Sequence, residues 1–197
     1  MTNVIETQDA LRKEADVILS KLNLLEFLSK FGNAKVVGSY ALGLMTWKDI
    51  DIDLAVDELK EEDYFQTVQY LFSNPEIKRL VLSDNRNLSE NLKMQGIPES
   101  MYLGVFAKAE DGDEWKMDVR FVKDSLVRAE KYIEEIKSQL DNEKREIILE
   151  IKSAVCEHPK YINKEIFGVD IYNTVLNGSV KNIDDFKKYL SDKGINL

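Results

Sequence analysis

The chain is short of sulfur, imidazole and proline. Among its 197 residues there is one cysteine (Cys156), one histidine (His158) and three prolines. A single cysteine excludes a disulfide framework and any cysteine-rich zinc site. A single histidine excludes a histidine-rich metal centre and disfavours a Ser-His-Asp triad. His158, ahead of Pro159 near an expected helix end, reads as structural. No stretch approaches 18 consecutive apolar residues, so no membrane partner is expected. The opening TNVIETQDALRKEAD lacks the basic and then apolar regions of a secretory signal, so the expectation is a soluble, cytoplasmic protein. Positive charge is short as well. Lys and Arg number 27 against 36 Asp and Glu, a net charge of −9, of which residues 1–123 hold −7 and residues 124–197 hold −2. A protein that coats duplex nucleic acid needs a basic stripe, and neither part has one.

What is present is enough apolar residue, 44%, to build a core, with charge spread too evenly for a disordered tail. The length suits one domain, or one domain with a helical appendage. Leu11, Ala15, Ile18, Leu22, Leu25 and Leu28 recur at helical spacing across 8–31, and Gly32 follows as a stop signal. A short strand is expected over 34–38, then a turn at Gly38-Ser39 into a brief helix that Ser39 caps. Residues 49–56, DIDIDLAV, alternate: Asp49, Asp51, Asp53 and Ala55 on one face, Ile50, Ile52, Leu54 and Val56 on the other. A helix over 58–73, a strand over 77–83 and a polar loop, DNRNLSENLKMQGIPES, come next. MYLGVFAKA and EWKMDVRFV then flank an Asp111-Gly112 turn and read as a hairpin. Its second arm sets Trp115, Met117, Val119 and Phe121 against Lys116, Asp118 and Arg120. The rest reads as helix: 125–139, 142–157 (capped by Asp141 or Asn142), 162–177 and 183–192, with stops at Gly178 and Gly194. The expected fold class is α/β (α+β), with a mixed β-sheet core over 1–123 and a helical domain over 124–197.

Three aspartates in succession on one strand face are unusual. At about 3.3 Å rise per residue they lie roughly 6–7 Å apart and repel one another. A hard divalent cation with oxygen ligands would relieve that; an edge strand kept acidic against aggregation is the plainer explanation. Asp118 is a second oddity, because mid-strand Asp is disfavoured, although Lys116 and Arg120 beside it would also suit a surface ion-pair ladder. Asp-x-Asp-x-Asp also opens an EF-hand loop, but that loop needs Gly sixth and Glu twelfth, where this chain has Leu54 and Lys60.

Taken together, VGSYALGLMTWKDIDIDLAV and the later Asp118 resemble the DNA polymerase β-type nucleotidyltransferase superfamily. Its signature is an apolar residue, Gly-[Gly/Ser], a spacer, then Asp-apolar-[Asp/Glu]-apolar, with a third carboxylate on a later strand. The signature covers residues 36–56, and by element order the resemblance extends over most of 1–123. In size the chain is nearest to small bacterial antibiotic-type members. Two registers satisfy the pattern: Asp49/Asp51 after nine residues and Asp51/Asp53 after eleven. The first is favoured, because a polar residue precedes the first Asp in Lys48-Asp49. The resemblance implies an enzyme that moves a nucleotidyl group from an NTP such as ATP to a hydroxyl acceptor, a small molecule such as an antibiotic being the expected class. It implies Mg²⁺ or Mn²⁺ held by Asp49, Asp51 and Asp118 (Asp53 in the other register), and Gly38 and Ser39 against the triphosphate. Lys48, Arg86, Lys116 and Arg120 are candidates for phosphate charge. An Asp-x-Asp glycosyltransferase would leave Gly38-Ser39 and Asp118 unexplained. The runner-up is a related domain that binds a nucleotide or protein partner without turnover. Tyr132, Tyr161, Phe167, Tyr172, Phe186 and Tyr189 in the helical part read as core.

Overall fold

The computed structural model describes residues 3–87, 99–123, 126–162 and 165–197. Elements run α1 (Val4–Leu22), α2 (Leu24–Leu28), β1 (Asn33–Val37), α3 (Gly38–Leu42), β2 (Asp49–Ala55), α4 (Glu61–Phe72), β3 (Ile77–Asp84), β4 (Ser100–Lys108), β5 (Glu114–Val122), α5 (Leu126–Gln139), α6 (Asn142–Val155), α7 (Pro159–Ile162), α8 (Gly168–Leu176) and α9 (Ile183–Asp192). Two compact units result. One gathers residues 13–41 and 48–133; the other gathers residues 1–12, 42–47 and 134–197.

The first unit is built on a five-stranded sheet in the order β1-β2-β5-β4-β3. β2 runs parallel to β5, and every other neighbouring pair is antiparallel. Alternation along β2 and β5 gives the sheet two unlike faces. Ile50, Ile52, Leu54, Met117, Val119 and Phe121 are buried on one. Each such side chain contributes about 1.5–3 kcal/mol when fully buried, and a slip of one residue would turn them all outward. This apolar set therefore fixes the aspartates on the opposite face. Helices cover the apolar face: Tyr64 of α4 packs edge-on against Phe121 with ring centroids 5.5 Å apart. Tyr70 of α4 stacks on Phe27 of α2 at 3.8 Å and donates to the Leu22 carbonyl.

In the helical unit, α6 packs on α8 and α9, burying Ile148, Leu149, Ile151, Ile171, Val175, Phe186 and Leu190. Lys152, 1% exposed, donates to the Leu44 carbonyl at 2.6 Å and to the Tyr172 hydroxyl at 3.1 Å. Asp141 caps α6 by accepting from the Lys144 amide. Tyr172 and Phe186 are core residues as expected, whereas Phe167 is exposed.

Several expectations need correction. The helix expected over 8–31 is broken at Asn23, whose φ of 46° places it in the left-handed region that Asn tolerates. α3 is assigned from Gly38, one residue before the expected cap Ser39, and Gly38 makes the turn at φ +62°. The helix expected over 162–177 is instead α7 and α8, with residues 163 and 164 outside the described set. Most of the expected polar loop, residues 88–98, also lies outside it. Gly112, Gly178 and Gly194 all adopt positive φ, as their turn and stop positions require.

Candidate active site

Parallel pairing of β2 with β5 sets Asp49 opposite Lys116, Asp51 opposite Asp118 and Asp53 opposite Arg120. Two carboxylates thus stand side by side on adjacent strands, with roughly 4.8 Å between strands. Asp51 also faces Val37, the last residue of β1. Gly38 follows, and its Cα comes so close that a β-carbon there would lie 2.3 Å from Asp51 Oδ2. The strand-turn-helix and the acidic strand therefore meet at Asp51.

Opposite charges surround this row. Lys116 Nζ donates to Asp118 Oδ2 at 2.7 Å and to Asp49 Oδ1 at 3.3 Å. Arg120 Nε donates to Asp53 Oδ1 at 2.8 Å, and its terminal nitrogen lies 4.0 Å from Asp51 Oδ1. Asp53 is only 6% exposed and closed against Arg120, whereas Asp49 and Asp51 keep partly open side chains. The Asp51 carboxyl is raised to about 6, first by burial and then by the Asp49 charge; Asp118 adds to the rise and Arg120 opposes it. Lys116 is raised too: burial lowers it, but Asp49 and Asp118 outweigh that.

Two groups at this site escape the sequence pattern. The Tyr102 hydroxyl donates to Asp118 Oδ1 at 2.8 Å, and burial and the Asp118 charge push its own ionisation up to about 12. Tyr102 reaches Asp118 across Gly104, where a β-carbon would lie 2.7 Å from the hydroxyl. Gly104 is the direct cross-strand partner of Asp118. A glycine inside a strand signals close approach of another group, so Gly104 was the available clue.

Other cation candidates are engaged elsewhere. Lys48 pairs with Asp111 and lies 3.5 Å from Glu14. Arg86 pairs with Asp84 at 2.6 Å and Glu61 at 2.8 Å.

Among the described residues, no three Asp, Glu, His or Cys side chains are grouped closely enough to hold a metal as they stand. The donor chemistry nevertheless fits a hard divalent ion: carboxylate oxygens on adjacent strands, no sulfur or imidazole, and a central Asp51 whose ionised form is opposed by two like charges. No helix among the described residues is long and apolar enough to cross a membrane.

No protein-family model and no curated protein matches the chain. Solved structures do. A Cid1 poly(U) polymerase with Mg and 3′-dATP bound is 16% identical, with a TM-score of 0.57 over 85% of this chain and 48% of that one. A cytoplasmic RNA terminal U-transferase is 16% identical, with a TM-score of 0.52 over 75% of this chain and 41% of that one. A structure describing Cid1 as an RNA terminal uridylyl transferase is 15% identical, with a TM-score of 0.53 over 75% and 40%. The chain spans less than half the length of these structures. The shared architecture is the α+β, mixed-sheet polymerase β-like nucleotidyltransferase fold.

Proposed function

We propose that this chain is a metal-dependent nucleotidyltransferase that moves an NMP from an NTP to a hydroxyl acceptor: the acceptor oxygen bonds the α-phosphorus as its bond to the β-phosphate oxygen breaks and pyrophosphate leaves. The observation that carries the reading is the side-by-side pairing of Asp51 with Asp118. Asp49 lies on the same strand face and Gly38 against Asp51. A fold shared with RNA terminal transferases supports the class of chemistry.

Asp49, Asp51 and Asp118 are the residues that would hold Mg²⁺ or Mn²⁺. Bound there, such ions supply Lewis-acid stabilisation of the attacking and leaving oxygens. The chain's own groups do the rest. Asp118, which accepts from Tyr102 and Lys116, would take the proton of the acceptor hydroxyl. Gly38, without a side chain, lets the backbone approach the Asp51 carboxylate, and with the neighbouring Ser39 it would meet the triphosphate there. Lys116 and Arg120 offset negative charge on the same face. The closure of Asp53 by Arg120 supports the Asp49/Asp51 register over Asp51/Asp53. The functional core is proposed to span residues 1–123, with 124–197 as the helical domain.

For the acceptor we favour a small molecule, because a net charge of −9 opposes an RNA strand. The deciding experiment incubates the protein with labelled NTPs, Mg²⁺ or Mn²⁺, and a panel of aminoglycosides, other small alcohols and an RNA 3′ end. Transfer to a small hydroxyl supports the full reading, and transfer to RNA replaces the acceptor only. Metal-dependent nucleotide binding without any product would mark a domain that binds and does not turn over.

A further inference from the structure

The aspartate face of the sheet does not end at β5. Antiparallel pairing carries it onto β4, where Phe106, Gly104 and Tyr102 stand opposite Lys116, Asp118 and Arg120. It continues onto β3, where Arg79 stands opposite Phe106, Val81 opposite Gly104 and Ser83 opposite Tyr102. The alternate residues Leu103, Val105 and Ala107 are buried on the other face.

This outer half of the face is aromatic and carries one cation. The Tyr102 ring lies across Gly104, its Cζ and Cε1 3.3 and 3.4 Å from where a β-carbon would be, so an aromatic surface lies directly beside Asp118. Phe106 follows two residues along β4, and the Arg79 guanidinium lies over its ring, 3.6 Å from the centroid. Val81, opposite Gly104, is 39% exposed. Among the described residues no carboxylate pairs with Arg79. Glu114, on this face beyond Lys116, is met instead by Lys78 at 3.7 Å.

In-line transfer decides from which side an acceptor arrives. The attacking and leaving oxygens lie on opposite sides of the phosphorus. Gly38 and Ser39, which would meet the triphosphate, follow β1 on one side of β2. The acceptor hydroxyl then reaches Asp118 from the other side, over β4 and β3.

Resting on the function proposed above, we propose that Tyr102, Phe106 and Arg79 form the acceptor subsite, and that the acceptor is a small aromatic alcohol carrying an anionic group. Its ring lies on the two aromatic side chains. Its carboxylate or phosphate pairs with the Arg79 guanidinium, whose donors form a fork that matches such groups. Its hydroxyl points back to Asp118. Two inter-strand steps of roughly 4.8 Å separate β5 from β3, a span that one substituted ring covers. A polycationic acceptor would meet Arg79 as a like charge and is disfavoured.

The test is NMR titration of the full chain in Mg²⁺ buffer with para-hydroxymethylbenzoate, the neutral para-benzenedimethanol, the cationic para-hydroxymethylbenzylamine and the cyclohexane analogue of the benzoate. Wild type should bind the benzoate at least about threefold more tightly than each of the others. Arg79→Met should remove the preference over the neutral alcohol, and Arg79→Lys should keep it. Phe106→Leu should remove the preference over the cyclohexane analogue, with circular dichroism confirming the fold. Absence of benzoate binding, equal affinity of wild type for the benzoate and the neutral alcohol, or a preference that survives Arg79→Met overturns the proposal. The same compounds are then offered as acceptors with labelled NTP. The expected binding pattern with no product from any of them supports the subsite and counts against nucleotidyl transfer. Product formed with a KM that Arg79→Met leaves unchanged retains the transfer and overturns the subsite.

Discussion

The Cα of Gly38 lies so near the Asp51 carboxylate that no side chain fits between them: a β-carbon would be 2.3 Å from Oδ2, at a backbone φ of +62°. Gly38→Ala therefore combines left-handed backbone strain, about 1–2 kcal/mol, with a collision that moves the carboxylate. We expect lower stability in urea unfolding and a loss of NMP transfer of at least about tenfold, a barrier change of about 1.4 kcal/mol. A Gly38→Ala protein with unchanged transfer would separate this approach from the chemistry.

Asp51→Asn should abolish transfer and, in the absence of divalent ions, stabilise the fold above pH 7. The folded pKa of Asp51, about 6, lies above its ordinary 3.8. Its contribution is therefore fully present below about pH 4 and lost as pH rises through 6. Removing the charge should recover on the order of 1 kcal/mol at pH 8 and nothing at pH 4, read from melting temperatures across that range. Added Mg²⁺ should raise the melting temperature of wild type more than that of Asp51→Asn.

Asp49 and Asp53 should respond in opposite ways. Asp49→Asn is expected to lower transfer by several orders of magnitude with little loss of stability. Asp53→Asn leaves Arg120 without its buried carboxylate, at a cost of about 1–3 kcal/mol, yet keeps much of the activity at a temperature where the variant is folded. Reversal of the two activities would move the metal pair to Asp51/Asp53.

Tyr102→Phe deletes one hydroxyl that donates to Asp118 and leaves the ring in place. A stability change of no more than about 1 kcal/mol is expected. Transfer should fall about 3- to 30-fold through kcat, because Asp118 loses a fixed partner while nucleotide binding keeps its own contacts. Steady-state kinetics with the NTP varied distinguish this from a change confined to KM.

Lys152→Met preserves volume in the helical unit but removes the donor to the Leu44 carbonyl and to the Tyr172 hydroxyl. The expected cost is about 1–3 kcal/mol, seen as a lower unfolding midpoint.

Much of the site was legible because two-residue periodicity is local. Ile50, Ile52 and Leu54 dictate the facing of Asp49, Asp51 and Asp53 without knowledge of any neighbour. The hairpin between β4 and β5 was legible from Asp111-Gly112 for the same reason. The alignment of Asp51 with Asp118 depends on a parallel pairing that no local pattern encodes. Tyr102 was hidden because its reach depends on Gly104 sitting beside Asp118 in that alignment. The break at Asn23 was also illegible: leucines continue at helical spacing on both sides, and the left-handed turn rests on one residue that is equally at home in a helix surface. Asp53 looked equivalent to its neighbours until Arg120 was placed opposite it.

The parallel pairing of β2 with β5 also carries a kinetic consequence. Lys116 and Asp49, and likewise Arg120 and Asp53, are 67 residues apart in the chain. β5 comes last among the strands in sequence yet is central in space, since it slots between β2 and β4. During synthesis the acidic strand therefore emerges well before the strand that supplies its countercharges. Until then its three aspartates have no lysine or arginine from β5 beside them, and closing so long a loop is slow. Competence to bind metal should consequently appear with the last folding phase, so that metal-sensitive luminescence during refolding lags behind the recovery of helical signal.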